Sequence, residues 1–211
     1  MREFQNILEI ADLLLGPNGC SWDREQTLFS LQPYLLEEMH ELIEAIDSLD
    51  GSKMAEELGD VLYALVFVAK LGEKEDKFQL ADAIEGVCQK LIRRHPHVFG
   101  NVKATSSEEI INNWEEIKKL EFKERKNILD GIPLSLPSLA RAQKIIQKIR
   151  RSQKKKIECA FQTEEELGEK FWELLEAAES KGWNAEDVLR RVAARREEAF
   201  RQNEKTPETG S

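Results

Sequence analysis

The chain has 211 residues, of which 34% are charged and 41% hydrophobic, and its formal net charge is −9 at pH 7. These values favour one or two soluble helical domains, and the acidic balance argues against general coating of nucleic acid. Because no run approaches eighteen apolar residues and neither a signal peptide nor paired cysteines is recognisable, we expect a cytoplasmic protein without a membrane segment.

Five amphipathic helices are predicted in the first half of the chain from apolar periodicity and stop signals. The segment Gly16-Pro17-Asn18-Gly19 predicts a loop after the first helix. The third helix, predicted to be capped near Ser52 and to end at Gly72, is almost wholly apolar from 61 to 69, so we expect it to be buried on most sides. The predicted ranges are about 3–15, 30–50, 52–72, 77–94 and 106–125.

The second half is predicted to contain three more helices, at about 138–153, 163–181 and 184–202. A loop with two prolines, 131–137, indicates a boundary between two units. The chain shows no alternating strand pattern, so the predicted fold is all-α. The predicted units are a catalytic domain at 1–126, a helical repeat at 127–204 and a disordered tail at 205–211.

An internal repeat is suggested by two similar segments. Glu57-Leu58-Gly59-Asp60 is followed in the second half by Glu166-Leu167-Gly168-Glu169. The later copy has no acidic cluster upstream; the stretch 141–156 carries eight Lys or Arg residues and no acid instead. We therefore expect a degenerate repeat without a metal site. Its basic stretch is interpreted as a face that offsets the acidic remainder, since no nucleic-acid recognition motif accompanies it.

Two acidic clusters carry most of the functional information. In a helix, Glu37 and Glu41 project within about 40° of each other and Glu38 within about 100°, and Glu57 and Asp60 share a face of the next helix. A solvated helix face would have polar flanks and Lys or Arg one turn away, whereas these flanks are apolar. Crowded carboxylates beside an apolar face need a cation between them, and the absence of a matching Cys or His set favours Mg²⁺ or Mn²⁺ over zinc.

Two further patterns bear on the chemistry. Glu37-x-x-His40 resembles half of a di-iron site, but no second Glu-x-x-His exists, so di-iron chemistry is not favoured.

Several basic residues are placed to share the charge of a polyphosphate with a bound metal. Trp22 and Trp114 are of a type that more often packs than stacks on a base. The basic candidates are Lys53, Lys90, Arg93, Arg94 and Lys118.

The order of these motifs resembles the MazG family of nucleoside triphosphate pyrophosphohydrolases. The resemblance covers about residues 5 to 145 and is specific, because several ordered segments coincide. Ser21 and Leu28 depart from the family pattern in the first loop, where proline and histidine are usual. The segments that carry it are Glu37-Glu38-x-x-Glu41, Glu57-x-x-Asp60, Gly19-Cys20-Ser21-Trp22-Asp23, Pro33-Tyr34-x-Leu36, Arg93-Arg94-His95-Pro96-His97-Val98-Phe99, Asn113-Trp114-Glu115-x-Ile117-Lys118 and Gly131-Ile132-Pro133-x-Ser135-Leu136-Pro137.

The resemblance implies an all-α enzyme that uses Mg²⁺ to cleave a nucleoside triphosphate between its α and β phosphates. It also implies a homodimer or higher homo-oligomer in which helices pair as bundles. The resemblance implies that Glu37 and Glu38 lie near the phosphate that is attacked. The implied metal ligands are Glu38, Glu41, Glu57 and Asp60, and the implied nucleotide-binding residues are Lys53, Lys90, Arg93, Arg94, Trp114 and Lys118.

Two alternatives remain open from the sequence. The chain could be a narrower relative, such as a dUTP or dCTP pyrophosphatase. It could also be a non-catalytic helical module whose acidic cluster binds divalent ions and whose basic helix binds a partner. A pyrophosphate-release assay over all common nucleotides separates the three.

Overall fold

A computed structural model describes residues 2–102, 106–121, 127–153 and 157–205. These residues form ten helices, and no strand occurs among them, so the predicted all-α class is confirmed. The predicted tail falls almost entirely outside the described residues, as does the end of the fifth predicted helix. The helices are α1 (Arg2–Leu15), α2 (Ser21–Glu25), α3 (Leu31–Ser48), α4 (Gly51–Lys74), α5 (Leu80–Arg94), α6 (Pro96–Phe99), α7 (Ser107–Glu121), α8 (Ser138–Gln153), α9 (Glu164–Glu179) and α10 (Ala185–Lys205).

The internal contacts divide the chain into two units, Met1–Ile117 and Lys118–Ser211. The division falls inside α7, upstream of the sequence-based boundary at 126. The first unit contains α1 to α6 and most of α7, whereas α8, α9 and α10 belong to the second. The part of the chain that the structure describes has no helix long and apolar enough to cross a membrane.

The centre of the first unit is the antiparallel pair of α3 and α4. Only Leu49 and Asp50 join them, and Leu49 adopts the left-handed conformation at φ 56° that reverses the chain direction. The Asp50 carboxylate caps α4 by accepting hydrogen bonds from the backbone N–H groups of Ser52 (2.9 Å) and Lys53 (3.3 Å). The predicted cap at Ser52 is therefore wrong by two residues, since Ser52 already lies in the first turn.

The core of the first unit is built on α4. Phe67 and Leu71 pack with Leu31 at the start of α3, and α1 contributes Leu15 to the same cluster. The predicted burial of segment 61–69 holds for Val61, Ala64, Val66, Phe67 and Ala69, but it is wrong for Leu62 and Leu65, which are exposed.

Gly72 does not end α4, contrary to the prediction, and the helix continues to Lys74. Gly72 is buried, and a Cβ atom there would lie 2.3 Å from the ring of Phe78. This glycine therefore allows the chain after α4 to fold back onto the helix rather than terminating it.

The second unit is built around α8 and α10. Leu129, Ile132, Ile145 and Ala193 form its buried cluster. At the start of α8, the carboxylate of Glu186 accepts hydrogen bonds from the backbone N–H (2.6 Å) and hydroxyl (2.7 Å) of Ser138. Thr163, Asn184 and Ser106 cap α9, α10 and α7, and their side-chain oxygens accept hydrogen bonds from backbone N–H groups three residues on.

Candidate active site

The acidic clusters of α3 and α4 meet where the two helices pack against each other. One carboxylate oxygen from each of Glu38, Glu41 and Glu57 lies within 4.8 Å of the other two. Glu38 is buried with 7% of its surface exposed, Glu57 is half-buried and Glu41 is exposed. The structure thus brings together three of the four predicted metal ligands across the helix pair.

Asp60, the fourth predicted ligand, lies outside this group of three but close to it. It is exposed on α4 one turn after Glu57. Its negative charge contributes to the raised pKa values of Glu38 and Glu57, which places it within electrostatic range of both. Glu37 is exposed beside Glu38 and acts on it in the same direction.

The carboxylates of the cluster raise one another's pKa values. Desolvation is the largest cause that raises the pKa of Glu38, and the charges of Asp60 and Glu41 raise it further. Desolvation and then the charge of Glu41 raise the pKa of Glu57. Both shifts mean that the cluster resists carrying its full negative charge without a counter-ion.

Tyr34 is a neighbour of the cluster that sequence reasoning did not single out. Burial, followed by the interaction of its hydroxyl with the Glu38 carboxylate, raises the pKa of Tyr34 to about 12. The sequence signal was its position four residues before Glu38, since residues at this spacing share one face of a helix. Its half-buried state could not be read from spacing.

The predicted nucleotide-binding residues are spread over three helices. Lys53 is exposed in the first turn of α4, one turn before Glu57, and Lys90 and Arg93 are exposed on α5. Arg94 is half-buried at the end of α5 and places its guanidinium carbon 5.4 Å from the ring centroid of Trp114 on α7. This cation–π contact ties the two helices together.

Lys118 lies on α7, one turn beyond Trp114. It belongs to the second unit by the contact division. Its assignment to the nucleotide site remains a prediction.

The three glutamates are chemically suited to a hard divalent cation. All their donor atoms are carboxylate oxygens, which Mg²⁺ and Mn²⁺ prefer. Opposite ligands of an octahedral Mg²⁺ are separated by roughly 4.2 Å, so small side-chain adjustments from a 4.8 Å grouping suffice for coordination. Mg²⁺ keeps several water ligands, which three or four carboxylates leave room for.

The counterpart of Glu57 in the second unit has a structural role. Glu166 is at the start of α9, where its carboxylate accepts from the backbone N–H of Gln162 (2.7 Å) and its own N–H donates to the Thr163 hydroxyl (3.1 Å). This arrangement resembles a capping box, except that the carboxylate accepts from the residue that precedes the N-cap. Among the described residues, Glu38, Glu41 and Glu57 form a group of potential ligands close enough together to hold a metal ion. The described part of the second unit contains no such group of His, Cys, Asp or Glu.

Comparison with known proteins places this site in a family. The family model described as the MazG nucleotide pyrophosphohydrolase domain matches residues 26–99. The nucleoside triphosphate pyrophosphohydrolase of Escherichia coli K12 is 34% identical over 97% of this chain and 88% of its own length. The chain belongs to the MazG family.

Other relatives match about two thirds of the chain. The nucleoside triphosphate pyrophosphohydrolase/pyrophosphatase MazG of Thermotoga maritima is 44% identical over 67% of this chain and 54% of its own length. The uncharacterized protein YabN of Bacillus subtilis is 46% identical over 68% of this chain, which spans only 29% of YabN. The crystal structure of a mazG-related protein from Thermotoga maritima is 32% identical and covers 55% of this chain and 98% of the other, with a TM-score of 0.49.

The MazG match coincides with the acidic cluster. Residues 26–99 include every predicted metal ligand together with Lys53, Lys90, Arg93 and Arg94, whereas Trp114 and Lys118 lie beyond the matched range. Family membership therefore bears directly on the segment that contains the carboxylates.

Proposed function

We propose that this MazG family member is a Mg²⁺-dependent nucleoside triphosphate pyrophosphohydrolase that also accepts Mn²⁺. It would hydrolyse NTPs and dNTPs between the α and β phosphates, yielding a nucleoside monophosphate and pyrophosphate. The observation that carries the proposal is the convergence of Glu38, Glu41 and Glu57 within 4.8 Å inside the family-matched segment. The names of relatives that span most of the chain support it.

The carboxylates would hold the ion and prepare the water. When bound, Mg²⁺ supplies positive charge that neutralises the phosphates and makes water a better nucleophile at neutral pH. Glu38, Glu41, Glu57 and Asp60 would hold the ion. Glu37, which is exposed beside them, takes a proton from the attacking water as general base. The oxygen of that water forms a bond to the α phosphorus. The bond between the α phosphorus and the oxygen that bridges it to the β phosphorus breaks as pyrophosphate leaves.

The basic residues would bear the charge of the triphosphate. Lys53, Lys90 and Arg93 have exposed side chains that a phosphate chain can reach. Arg94 covers one side of Trp114, so a nucleobase would stack on the other side of the indole. Charge stabilisation on the leaving pyrophosphate is where such residues contribute most to rate.

Exposed apolar side chains on the first unit support a homodimer. No residue of α5 is buried, and Leu91 of α5, Leu36 of α3 and Leu65 of α4 are 48%, 65% and 55% exposed. Exposed apolar side chains are a feature of surfaces that another subunit covers. Sedimentation velocity of the full chain should show a dimer that Leu91→Glu weakens, whereas Leu134→Glu, on an 84% exposed loop residue of the second unit, should leave it intact.

The test of the reaction is pyrophosphate release from all eight common NTPs and dNTPs, with Mg²⁺, with Mn²⁺ and with chelator. Stoichiometric monophosphate and pyrophosphate that vanish with chelator support the proposal. Orthophosphate as the initial product would refute the α–β assignment. Mg²⁺ binding without turnover of any nucleotide would favour the non-catalytic module, and turnover of dUTP or dCTP alone would favour the narrower relative.

A further inference from the structure

The apolar side of α9 is largely uncovered within the second unit. All of α9 is described, and none of its residues is buried. The helix that it contacts most is α10, yet Phe171 and Leu174 remain 41% and 57% exposed. An isolated helix of 16 residues is only marginally stable in water, because most helical stability comes from packing of the apolar side. A further surface is therefore needed to cover α9.

The two helices that carry the similar acidic segments differ in their cover. In the first unit, α3 packs along α4, which carries Glu57-Leu58-Gly59-Asp60. In the second unit, the helix that precedes α9 is α8, and it packs against α10 instead, where Ile145 and Ala193 belong to one buried cluster. The helix with Glu166-Leu167-Gly168-Glu169 thus lacks the cover that α4 has.

The pattern of residues on α9 fits a second copy of the same helix. At about 100° per residue, four apolar residues fall within about 60° of one another and form what we call the α9 seam. Most glutamates of α9 lie on the opposite side, so two seams can meet without bringing those charges together. The seam residues are Leu167, Phe171, Leu174 and Ala178.

An antiparallel arrangement matches the seam with itself. With a two-fold axis at the middle of the seam, Phe171 of one copy lies opposite Leu174 of the second copy. The same register places Glu164 opposite Lys181 of the second copy, once at each end of the helix pair. Both side chains are exposed. The charges that meet at the ends are therefore of opposite sign.

We propose that the second unit self-associates through an antiparallel pair of α9 helices, in which the seam of one copy packs against the seam of a second copy of this chain. The occupant is another copy because the seam and its end charges are complementary to themselves. This contact is separate from the homodimer interface proposed for the first unit, and it does not depend on the nucleotide chemistry.

Sedimentation velocity tests the seam in the Leu91→Glu chain, where the first-unit contact is weakened. Self-association should persist there at high protein concentration. Adding Phe171→Glu should weaken it by roughly 10-fold or more, because a charge would be buried without a partner. Trp172→Glu is the matched control, since Trp172 is more exposed (64%) but lies about 100° around the helix from Phe171. Equal losses in the two variants, or a Leu91→Glu chain that is already monomeric, would overturn the proposal.

The end charges distinguish contact between chains from contact within one chain. In the Leu91→Glu chain, Lys181→Glu and Glu164→Lys should each weaken self-association by roughly 3- to 10-fold. An equal mixture of the two variants should recover it, because both ends of the mixed pair then join opposite charges. A mixture that recovers nothing would mean that α9 meets a surface of its own chain, which would refute the proposal.

Disulfide formation tests the orientation without adding a charge to the seam. The three cysteines, all exposed, are first replaced by serine, and Phe171→Cys and Leu174→Cys are then prepared as separate chains and mixed under oxidising conditions. The mixed disulfide should dominate over links between like chains. Glu169→Cys, on the opposite side of α9, should link to neither. Links between like positions would indicate a parallel pair, and the absence of any link would remove the contact, so either result contradicts the proposal.

The same variants separate this inference from the proposed function. Turnover of Phe171→Glu should equal that of the parent protein, since Phe171 lies outside the family-matched residues 26–99. Pyrophosphate release by a chain that forms no mixed disulfide would refute the inference alone. A mixed disulfide in a chain that hydrolyses no nucleotide would refute the proposed function alone.

Discussion

Glu41 on α3 and Glu57 on α4 bring carboxylate oxygens within 4.8 Å of each other across the helix pair. Desolvation and the charge of Glu41 are the two largest causes that raise the pKa of Glu57. Two like charges at this separation destabilise the fold unless a proton or a cation lies between them. The Glu41–Glu57 pair therefore lowers the stability of the fold in the absence of a metal ion, and it provides affinity for the ion when one is present.

Glu41→Gln should separate these two effects. We expect turnover to fall by roughly 100-fold or more, because one charged ligand is lost from the site. In chelator, the melting temperature of the variant should equal or exceed that of the parent protein, since one repulsive charge is gone. The rise in melting temperature that Mg²⁺ gives the parent should shrink.

The control for this prediction is Glu44→Gln. Glu44 is exposed on the same helix, one turn further on, and lies outside the group of three carboxylates. Its turnover and Mg²⁺ response should match the parent protein. Parental activity in Glu41→Gln with intact helical circular dichroism would remove Glu41 from the ligand set.

Stabilisation by Mg²⁺ should depend on pH. The pKa values of Glu38 and Glu57 are raised in the absence of an ion, so both groups hold protons at a higher pH than ordinary carboxyls. A carboxyl group whose pKa is raised by folding binds its proton more tightly in the folded state than in the unfolded state. In the presence of chelator, the stability that these two groups contribute is therefore lost as pH rises through their raised pKa values. Protons and Mg²⁺ compete for the same oxygens, and the ion releases the protons when it binds.

We therefore expect the Mg²⁺-induced rise in melting temperature to be largest at neutral pH and to fall as pH is lowered toward the raised pKa values. Thermal unfolding with and without Mg²⁺ across that range measures it. In Glu41→Gln the pH dependence should be shallower, because a charge that raises the pKa of Glu57 is absent. A Mg²⁺ effect that is constant with pH would contradict the model of a proton-loaded cluster.

The carboxylate cluster was predictable because helical periodicity alone places its members. Spacings of three and four residues put Glu38 and Glu41 on one face, and the turn at Asp50-Gly51 requires the next helix to run back beside it. Tyr34 could not be identified, since its raised pKa comes from burial and from the Glu38 carboxylate rather than from its residue type. Spacing also could not decide that Asp60 stands apart from the group of three.

Some details of the fold were not predicted correctly because the sequence was compatible with more than one local structure. Asp50 and Ser52 are both good capping residues, and only the extended backbone at Asp50 (φ −86°, ψ 107°) selects it. The five-residue helix α2 and the four-residue helix α6 are too short to show a periodic pattern. Gly72 resembled a helix end, but its role is close packing against a residue beyond the helix.

A matched pair of glycines in α4 tests that role. Gly72→Ala should destabilise the first unit by about 1–3 kcal/mol, because the added methyl would lie 2.3 Å from the Phe78 ring and force a backbone or ring shift. Gly59→Ala should instead stabilise it by about 0.5–1 kcal/mol, because a Cβ there meets nothing within 4 Å and alanine favours the helix. Amide hydrogen exchange of α4 measures both, and equal effects of the two changes would contradict the packing role of Gly72.

Glu166→Gln tests whether the second unit takes part in catalysis. Glu166 caps α9 with its side chain, and a glutamine oxygen can accept the same hydrogen bond from Gln162. We expect turnover and Mg²⁺ affinity equal to the parent protein and a loss of α9 stability of under about 1 kcal/mol. Glu166→Ala should lose the cap and loosen α9 further without altering turnover. A large loss of activity in folded Glu166→Gln would show that the second unit takes part in the chemistry.

The second unit depends on an ion pair between α8 and α10. The Glu197 carboxylate accepts hydrogen bonds from Nη2 of Arg141 (2.5 Å) and from Nε and Nη2 of Arg201 (3.0 and 2.8 Å). Arg141 is only 8% exposed, and the Glu197 carboxylate is the counter-ion of its buried guanidinium. Burial would raise the pKa of Glu197, but the hydrogen bonds from Arg201 and Arg141 outweigh it and lower the pKa below the usual 4.5.

Glu197→Gln should therefore destabilise the second unit by about 2–4 kcal/mol, because it leaves a buried guanidinium without its counter-ion. A carboxyl with a lowered pKa stabilises the fold fully above its unfolded pKa, and the contribution is lost as pH falls through the folded value. The difference between parent and variant in hydrogen exchange of α8 and α10 should be constant near neutral pH and should narrow as pH falls below about 4.5. Exposed Glu198→Gln on the same helix should show neither effect, and a difference that persists unchanged into acid would mean that Glu197 acts through packing rather than through its charge.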